Sequence, residues 1–221
     1  MKQDMVMPYG ISSVAYEIIT CFGPKGCPNA INRSLELIKT LEDVLKNSQL
    51  DDFIKNKLKG QPLRPHHRFK VSISDCPNGC SQLYIADFGI HSFVKIKHDD
   101  SLCTLCDNCV NSCEEGAIKE VDQKIVIDNK KCIGCGGCIK ACPEGAIKET
   151  YRGYKIYVGG KLGRHPRLAS FLTKASPEEL TVYLKNLIQF YQNYNEKGER
   201  MGAMIQKMGW QKVKKLLNQK S

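Results

Sequence analysis

Twelve cysteines in 221 residues dominate the chemistry this sequence can offer. Eight fall into two copies of one pattern. Cys103, Cys106, Cys109 and Cys113 follow the spacing C-x2-C-x2-C-x3-C, and so do Cys132, Cys135, Cys138 and Cys142. The copies continue alike, as Glu114-Glu115-Gly116-Ala117-Ile118-Lys119 and Pro143-Glu144-Gly145-Ala146-Ile147-Lys148. Three closely spaced thiolates can reach three irons of one cubane, while the fourth lies too far round and serves the other cluster. The spacing thus assigns Cys103, Cys106, Cys109 and Cys142 to one 4Fe–4S cluster, and Cys132, Cys135, Cys138 and Cys113 to a second. Zinc prefers pairs of C-x2-C knuckles to such a run.

This is the ligand spacing of bacterial ferredoxins, except that Glu114 stands where the first copy would carry proline. Residues 99–149 are therefore expected to form an inserted two-cluster ferredoxin domain, with 1–98 and 150–221 together forming the domain that receives it. Four cysteines remain, Cys21 with Cys27 and Cys76 with Cys80. Each pair follows a strand-like run. Cys27-Pro28 and Cys76-Pro77 both read as a cysteine cap before a proline at the first helical position. Free backbone N–H groups and the positive dipole end of a helix N-terminus favour thiolates and anionic clusters. Four thiolates suit a third cubane; a zinc site and reduced structural cysteines are the other readings.

The elements that must position these residues follow from periodicity. Val14 to Thr20 reads as a buried strand, and Ile31, Leu35, Ile38, Leu41 and Leu45 as one face of a helix, with a short helical continuation over 51–59. Arg68 to Ser74 alternates, with Phe69, Val71 and Ile73 on one face and Arg68, Lys70, Ser72 and Ser74 on the other. A helix over Gln82 to Phe88, stopped by Gly89, precedes a strand from Ser92 to Lys97. After the insertion, a strand from Tyr154 to Val158 leads into Gly159-Gly160-Lys161-Leu162-Gly163-Arg164-His165-Pro166-Arg167-Leu168. Three glycines among basic groups suit either an anion-binding loop or a tight surface turn. Ser176-Pro177-Glu178-Glu179 is a capping box that opens a helix bearing Leu180, Leu184, Leu187, Ile188 and Tyr191. A last helix over 199–217 is open to a break at Gly209. The expected fold class is α+β.

The formal charge is +10. Each oxidised cubane on four thiolates carries about −2, so three would leave about +4. The basic residues are dispersed and no stacking motif or recognition module accompanies them, so no nucleic-acid partner is expected. Met1 to Pro8 lacks the apolar core of a secretory leader, and no run approaches the ~18 apolar residues of a membrane span. A reducing, cytoplasmic setting is expected, which argues against a disulfide framework.

The sequence resembles the sirohaem-containing sulfite and nitrite reductases, in particular the ferredoxin-fused forms: dissimilatory sulfite reductase subunits and the C subunit of anaerobic sulfite reductase. The resemblance lies in Cys21-(x5)-Cys27, in Arg68-Phe69-Lys70-Val71-Ser72-Ile73-Ser74-Asp75-Cys76-Pro77-Asn78-Gly79-Cys80, in Asp87-Phe88-Gly89, in the Gly159–Leu168 loop and in Gly198-Glu199-Arg200. It implies an α+β sirohaem and 4Fe–4S domain with an inserted two-cluster ferredoxin, three clusters in all. One cluster would be coupled to sirohaem through Cys80. Arg68 and Lys70 would meet the substrate anion, with arginine where the family more often has lysine. Gly159, Gly160, Lys161, Gly163, Arg164, His165 and Arg167 would hold sirohaem carboxylates, and Lys161, His165 and His66 are candidate proton donors.

The resemblance implies six-electron reduction of sulfite to sulfide, fed by a low-potential electron donor protein. Nitrite reduction to ammonia is a close alternative, and a three-cluster electron-transfer subunit without sirohaem is another. Family modules begin with a ferredoxin-like half that lends an arginine to the active site, whereas about ten residues precede the first predicted strand here. The expected cavity is open, completed by a second copy or partner subunit, or non-catalytic. Arg33, Arg64 and Arg152 are candidate substitutes.

Overall fold

In the computed structural model of this chain, residues 10–218 are described, so Met1–Pro8 and the outer ends of the two flanking segments lie outside the described residues. A six-stranded mixed sheet organises them. Its members are β1 (Gly10–Ser12), β2 (Tyr16–Thr20), β3 (Phe69–Ser74), β4 (Phe88–His98), β7 (Ile147–Val158) and β8 (Ser170–Ala175), adjacent in that order. β2, β3 and β4 are parallel; β1, β7 and β8 each run antiparallel to their neighbour.

The apolar alternation builds one covered face. Ile18, Phe69, Val71, Ile73, Ile90 and Ile156 are buried there against α1 (Leu35–Lys46), α2 (Leu50–Leu58) and α5 (Pro177–Tyr194). α5 opens with the predicted capping box: Ser176 accepts from the Glu179 N–H, and the Glu179 carboxylate accepts from the Ser176 N–H at 2.8 Å. α6 (Met201–Met208) and α7 (Trp210–Leu217) are separated at Gly209, whose φ of 83° interrupts the helix where the sequence allows a break. Among the described residues, no helix is long and apolar enough to cross a membrane.

The opposite face of the sheet carries Lys70, Ser72 and Ser74 from β3, by the alternation of strand side chains. Gly89, His91 and Phe93 of β4 and Lys155 and Tyr157 of β7 continue it, each paired in register with a neighbour on the same face. The long β4–β7 pair brackets the insertion, which holds α3 (Asn108–Asn111), β5 (Ile118–Val121), β6 (Lys124–Ile127) and α4 (Gly137–Ala141). It has a small core of its own around Cys109, Ile118, Ile125, Cys138 and Ile147. β7 starts at Ile147, so the predicted domain boundary at 149/150 falls inside a continuous strand.

Local expectations fail where tertiary bonds override propensity. No α-helix follows Cys76. A parallel crossover needs about a dozen residues, and Asp75 to Asp87 supplies little more, leaving room only for a 3-10 turn at Leu83–Ile85. Gly79 and Gln82 have left-handed backbones there, with φ of 68° and 62°, which no helix tolerates. Gly89 does not stop a helix but lies in β4, where an added Cβ would sit 2.2 Å from the Leu83 carbonyl oxygen. Gly89→Ala is expected to cost about 1–3 kcal/mol through overpacking, measured by chemical denaturation; an unchanged midpoint would contradict that close approach.

Nor does a helix follow Cys27. The Ile31 N–H donates to the Asp75 carbonyl at 2.7 Å, and the Ser34 N–H and hydroxyl both bond the buried Asp75 carboxylate. These bonds hold the chain in turns until α1 begins at Leu35. Strand β8 carries no clear signal in the sequence; its pattern is broken by a register shift opposite Ile156 and Tyr157.

Candidate functional site

Two cysteine loops leave the carboxyl ends of neighbouring parallel strands, the edge of an open sheet where ligands characteristically bind. Cys21 directly follows β2 and Cys76 follows β3 by one residue. The Cys21 N–H bonds the Ile73 carbonyl at 3.1 Å, and the Asp75 and Gly23 N–H groups donate to Cys21 Sγ at 3.2 and 3.3 Å. Next to Cys80, the Ser81 hydroxyl bonds those of Ser72 and Ser74 at 2.8 and 2.7 Å, fixing the turn to the strand. Cys21 and Cys76 are buried, Cys27 is half-buried and Cys80 is exposed. Burial pushes the Cys76 thiol up, the Asn78 N–H opposes it, and the like charges of Cys21, Cys80 and Cys27 add to it. The four sulfurs are therefore close enough to repel one another, and a cationic iron core would favour the thiolate forms that this apolar setting opposes.

The insertion brings its cysteines together by crossing the two copies. One cavity is lined by Cys103, Cys106, Cys109 and Cys142, and another by Cys113, Cys132, Cys135 and Cys138. Burial and the neighbouring thiolates Cys135 and Cys132 push Cys138 up to about 12, and Cys113 contributes in the same sense. The copies share backbone geometry. Leu105 and Asp107 are left-handed, at φ 55° and 57°, where the second copy has Gly134 and Gly136 at 81° and 73°. Gly116 and Gly145, at φ 56° and 63°, turn the chain so that the next N–H, from Ala117 or Ala146, donates to Cys113 or Cys142 Sγ at 3.3 or 3.2 Å. Such N–H···S bonds tune cluster potentials. Among the described residues, no His, Cys, Asp or Glu group has the geometry to hold a single metal ion; the two quartets of the insertion each line a cavity instead.

The quartets are not isolated. A cavity of about 290 Å³ is lined by Cys76 and Asn78 on one side and by Cys113 and Cys135 on the other. Lys140 of α4 donates to the Pro28 carbonyl at 2.5 Å, and Arg152 Nη1 donates to the Ile31 carbonyl at 2.6 Å, binding the insertion and β7 to the Cys27 loop. Arg152 also forms a bidentate pair with Glu149, while Arg33 and Arg64 are exposed.

The predicted anion-binding residues divide. Lys70 pairs with Glu17 across β2 and β3 at 3.4 Å. The buried Nε of Arg68 has no hydrogen-bond partner among the described residues, a donor that an anionic group would satisfy. In the loop after β7, Gly159 and Gly160 serve packing. A Cβ on Gly160 would lie 2.3 Å from the Tyr84 carbonyl oxygen, and one on Gly159 would lie 2.2 Å from the Ile205 side chain. Lys161 and Arg167 bridge the loop backbone. Lys161 Nζ bonds the His165 carbonyl at 2.6 Å. Arg167 spends its guanidinium within the loop, on the Gly159 and Leu168 carbonyls and the Ser170 hydroxyl. Gly163 lies in open space at the tip, with Arg164 and His165 exposed. In charge and exposure, Arg164 and His165 fit a carboxylate-rich group such as sirohaem, and Arg68 adds a half-buried cation.

Sequence reasoning missed two buried arrangements. Asp87 accepts from Arg200 Nε at 3.0 Å, from the Lys70 N–H at 2.9 Å and from the Met201 N–H at 3.2 Å. Arg200 also bonds the Ile85 and Gly160 carbonyls, so one ion pair ties the crossover, the basic loop and α6 together. Asp87 and Arg200 both stand in stretches that carry the family resemblance, but nothing in the spacing indicates that they meet. The other arrangement is His91, stacked on Tyr157, which in turn packs edge-on against Tyr84. The His91 Nδ1 bonds the Ser92 carbonyl at 3.0 Å and Nε2 lies 3.4 Å from the Tyr157 hydroxyl.

Burial first, then the charge of Lys155, holds His91 down to about 4, against the favourable Ser92 carbonyl. A histidine kept neutral in the folded state contributes stability that is complete above its unfolded value near 6.5. That stability is lost as pH falls from there through 4, by about 3 kcal/mol in total. Urea denaturation across this window is expected to show the loss in the wild type and a much flatter profile in His91→Gln.

Comparison with known proteins bears on what these quartets serve. The nitrite and sulphite reductase 4Fe-4S domain family matches residues 13–221. The chain is 36% identical over 188 residues to a coenzyme F420-dependent sulfite reductase of Methanocaldococcus jannaschii, covering 84% of this chain and 29% of that protein. It is 28% identical over 101 residues to the C subunit of the anaerobic sulfite reductase of Salmonella typhimurium, covering 46% of this chain and 25% of that one. The chain thus spans less than a third of the length of either relative. The crystal structure of dissimilatory sulfite reductase I superposes with a TM-score of 0.63 at 22% identity, over 96% of this chain and 54% of that one, so the mixed α+β fold is shared.

Proposed function

The chain belongs to the nitrite and sulphite reductase 4Fe-4S domain family, and from that premise we propose that it reduces sulfite to sulfide with sirohaem and three 4Fe–4S clusters. One observation carries the reading: eight cysteines line two cavities as two sets of four, and of the four left at the sheet edge only Cys80 is exposed. Cys21, Cys27, Cys76 and Cys80 would hold one cluster, with Cys80 shared with sirohaem. Cys103, Cys106, Cys109 and Cys142 would hold the second, and Cys132, Cys135, Cys138 and Cys113 the third. When bound, sirohaem would supply a redox-active iron and the clusters would supply low-potential electrons for a six-electron reduction.

The chain's own residues bind, orient and protonate. The Arg68 guanidinium and Lys70 Nζ would offer charge-assisted hydrogen bonds to an oxyanion. Lys70 can exchange its Glu17 partner for substrate at little cost, because a half-exposed pair is worth at most about 1 kcal/mol. Arg164 and His165 at the loop tip would hold sirohaem carboxylates, while Arg167 keeps the loop closed. Lys161 Nζ and the His165 ring are the candidate proton donors. A low-potential carrier protein supplies electrons, and the oxyanion pocket is completed by a second copy or a partner subunit.

The names of the relatives favour sulfite over nitrite, which needs the same number of electrons. Reconstituted protein with a reduced low-potential dye is expected to release sulfide from sulfite. Ammonia from nitrite, with no sulfide from sulfite, would make nitrite the substrate. Neither product from a chain with intact clusters would leave an electron-transfer subunit.

A further inference from the structure

Three lysines line one cleft on the sheet face beside the insertion. Lys95 stands on β4, Lys155 on β7 and Lys174 on β8, three adjacent strands. The ammonium groups of Lys155 and Lys174 both lie over the Phe93 ring, at 5.5 and 5.2 Å, and that of Lys95 lies over Tyr151 at 5.4 Å. None of the ion pairs among the described residues includes any of the three. Burial first and then the neighbouring Lys174 hold the Lys155 ammonium below its ordinary range, against the opposing influence of Cys132. The lysines line a cleft of about 330 Å³ that also includes Cys132 and the Ile133–Gly134 backbone. The cleft is pinned to the sheet, since Lys155 donates to the Ile133 carbonyl at 3.2 Å and the Val94 N–H donates to the Gly134 carbonyl at 3.0 Å.

We propose that this lysine cleft is the docking surface for an acidic electron-carrier protein, bringing it against the Cys132 edge of the insertion. Lys155 and Lys174 pair in register on β7 and β8, while Lys95 stands opposite Tyr151, four residues along β7 from Lys155, so the three cations are spread over more than about 10 Å. That is wider than one small oxyanion and suits a cluster of carboxylates on a protein surface. Lys95 and Lys174 are exposed and form the rim, while Lys155 is half-buried and forms the floor. Opposed charge of this kind raises encounter rates and is weakened by salt. The inference rests on the electron-accepting role proposed above.

The test uses the full chain and an oxidised acidic plant-type ferredoxin as the probe. Zero-length carbodiimide cross-linking joins carboxylates to lysines, and mass mapping is expected to place the links on Lys95, Lys155 and Lys174. The combined Lys95→Gln, Lys155→Gln and Lys174→Gln variant is expected to weaken ferredoxin binding at least about ten-fold at low salt and to flatten its salt dependence. Links concentrated on Lys212, Lys214 and Lys215 would overturn the proposal, as would unchanged affinity in the triple variant. Displacement of the probe by millimolar sulfate at fixed ionic strength would make the cleft a small-anion site and overturn it as well. Lys95→Gln with Lys174→Gln alone, leaving the half-buried Lys155 intact, is expected to lose at least half of the effect. Sulfite turnover without links at these lysines would sink the docking surface alone; links here without turnover would sink the enzymatic reading alone.

Discussion

Replacing Cys80 with serine is expected to remove sulfite turnover while leaving the eight cysteines of the insertion and their spectroscopic signals in place. Cys80 is the exposed member of its quartet, while Cys21 and Cys76 are buried. The insertion has a core of its own around Cys109 and Cys138, so its fold does not depend on the Cys80 thiol. Changes outside the ligand shell alone cost about 10–100-fold in affinity or activity, so loss of the shared ligand should exceed about 100-fold. The turn itself should survive, because Ser72, Ser74 and Ser81 hold it through bonds that do not involve Cys80. Cys135→Ser is the converse control and should alter the ferredoxin signals first. Full turnover and an unaltered pigment spectrum in Cys80→Ser would show that this thiolate bridges nothing.

The largest expected loss of stability comes from Asp87→Ala. The Asp87 carboxylate is 1% exposed and Arg200 is 16% exposed. Removing the carboxylate strands a largely buried guanidinium and two backbone N–H groups, from Lys70 and Met201. Breaking such a pair costs about 3–5 kcal/mol, which for a chain of this size lowers the melting temperature by about 10 °C. Much of that cost is the uncompensated charge. The double change Asp87→Leu with Arg200→Met should therefore be less damaging than the two single changes added together. A single-variant loss below about 1 kcal/mol would mean that the pair is solvated in solution. Since Arg200 also bonds Gly160, the Ala variant should in addition loosen the basic loop and expose it to proteolysis.

Much of this arrangement was legible in the sequence because it rests on local covalent spacing. The eight cysteines of the insertion sit in runs whose geometry is fixed within a few residues, and the structure lines two cavities with the sets that the spacing groups together. The alternation of Phe69, Val71 and Ile73 foretold the buried face of β3, and the Ser176 capping box foretold the start of α5. What was hidden depends on residues far apart in sequence. Proline after Cys27 and Cys76 signals a helix start locally, yet bonds from Ile31 and Ser34 to Asp75, and from Ser81 to Ser72 and Ser74, select turns instead. Gly159 and Gly160 read equally as a phosphate-type loop or a turn, because a sequence does not say what approaches a glycine. Here it is Tyr84 and Ile205. Arg167 carried a ligand-binding expectation from the family resemblance, and its charge is used within the loop.

The central claim is that this chain binds one sirohaem and three 4Fe–4S clusters. Its most direct test is the visible spectrum of the anaerobically reconstituted chain, taken with its iron and acid-labile sulfide content. Twelve cysteine ligands predict about twelve cluster irons and about twelve sulfides per chain, with one further iron in the pigment. Red-shifted sirohaem bands, lost from the cluster-coupled state in Cys80→Ser, are the predicted result. About eight irons with no extractable pigment would contradict it, reducing the chain to a two-cluster ferredoxin carried on a reductase-like sheet.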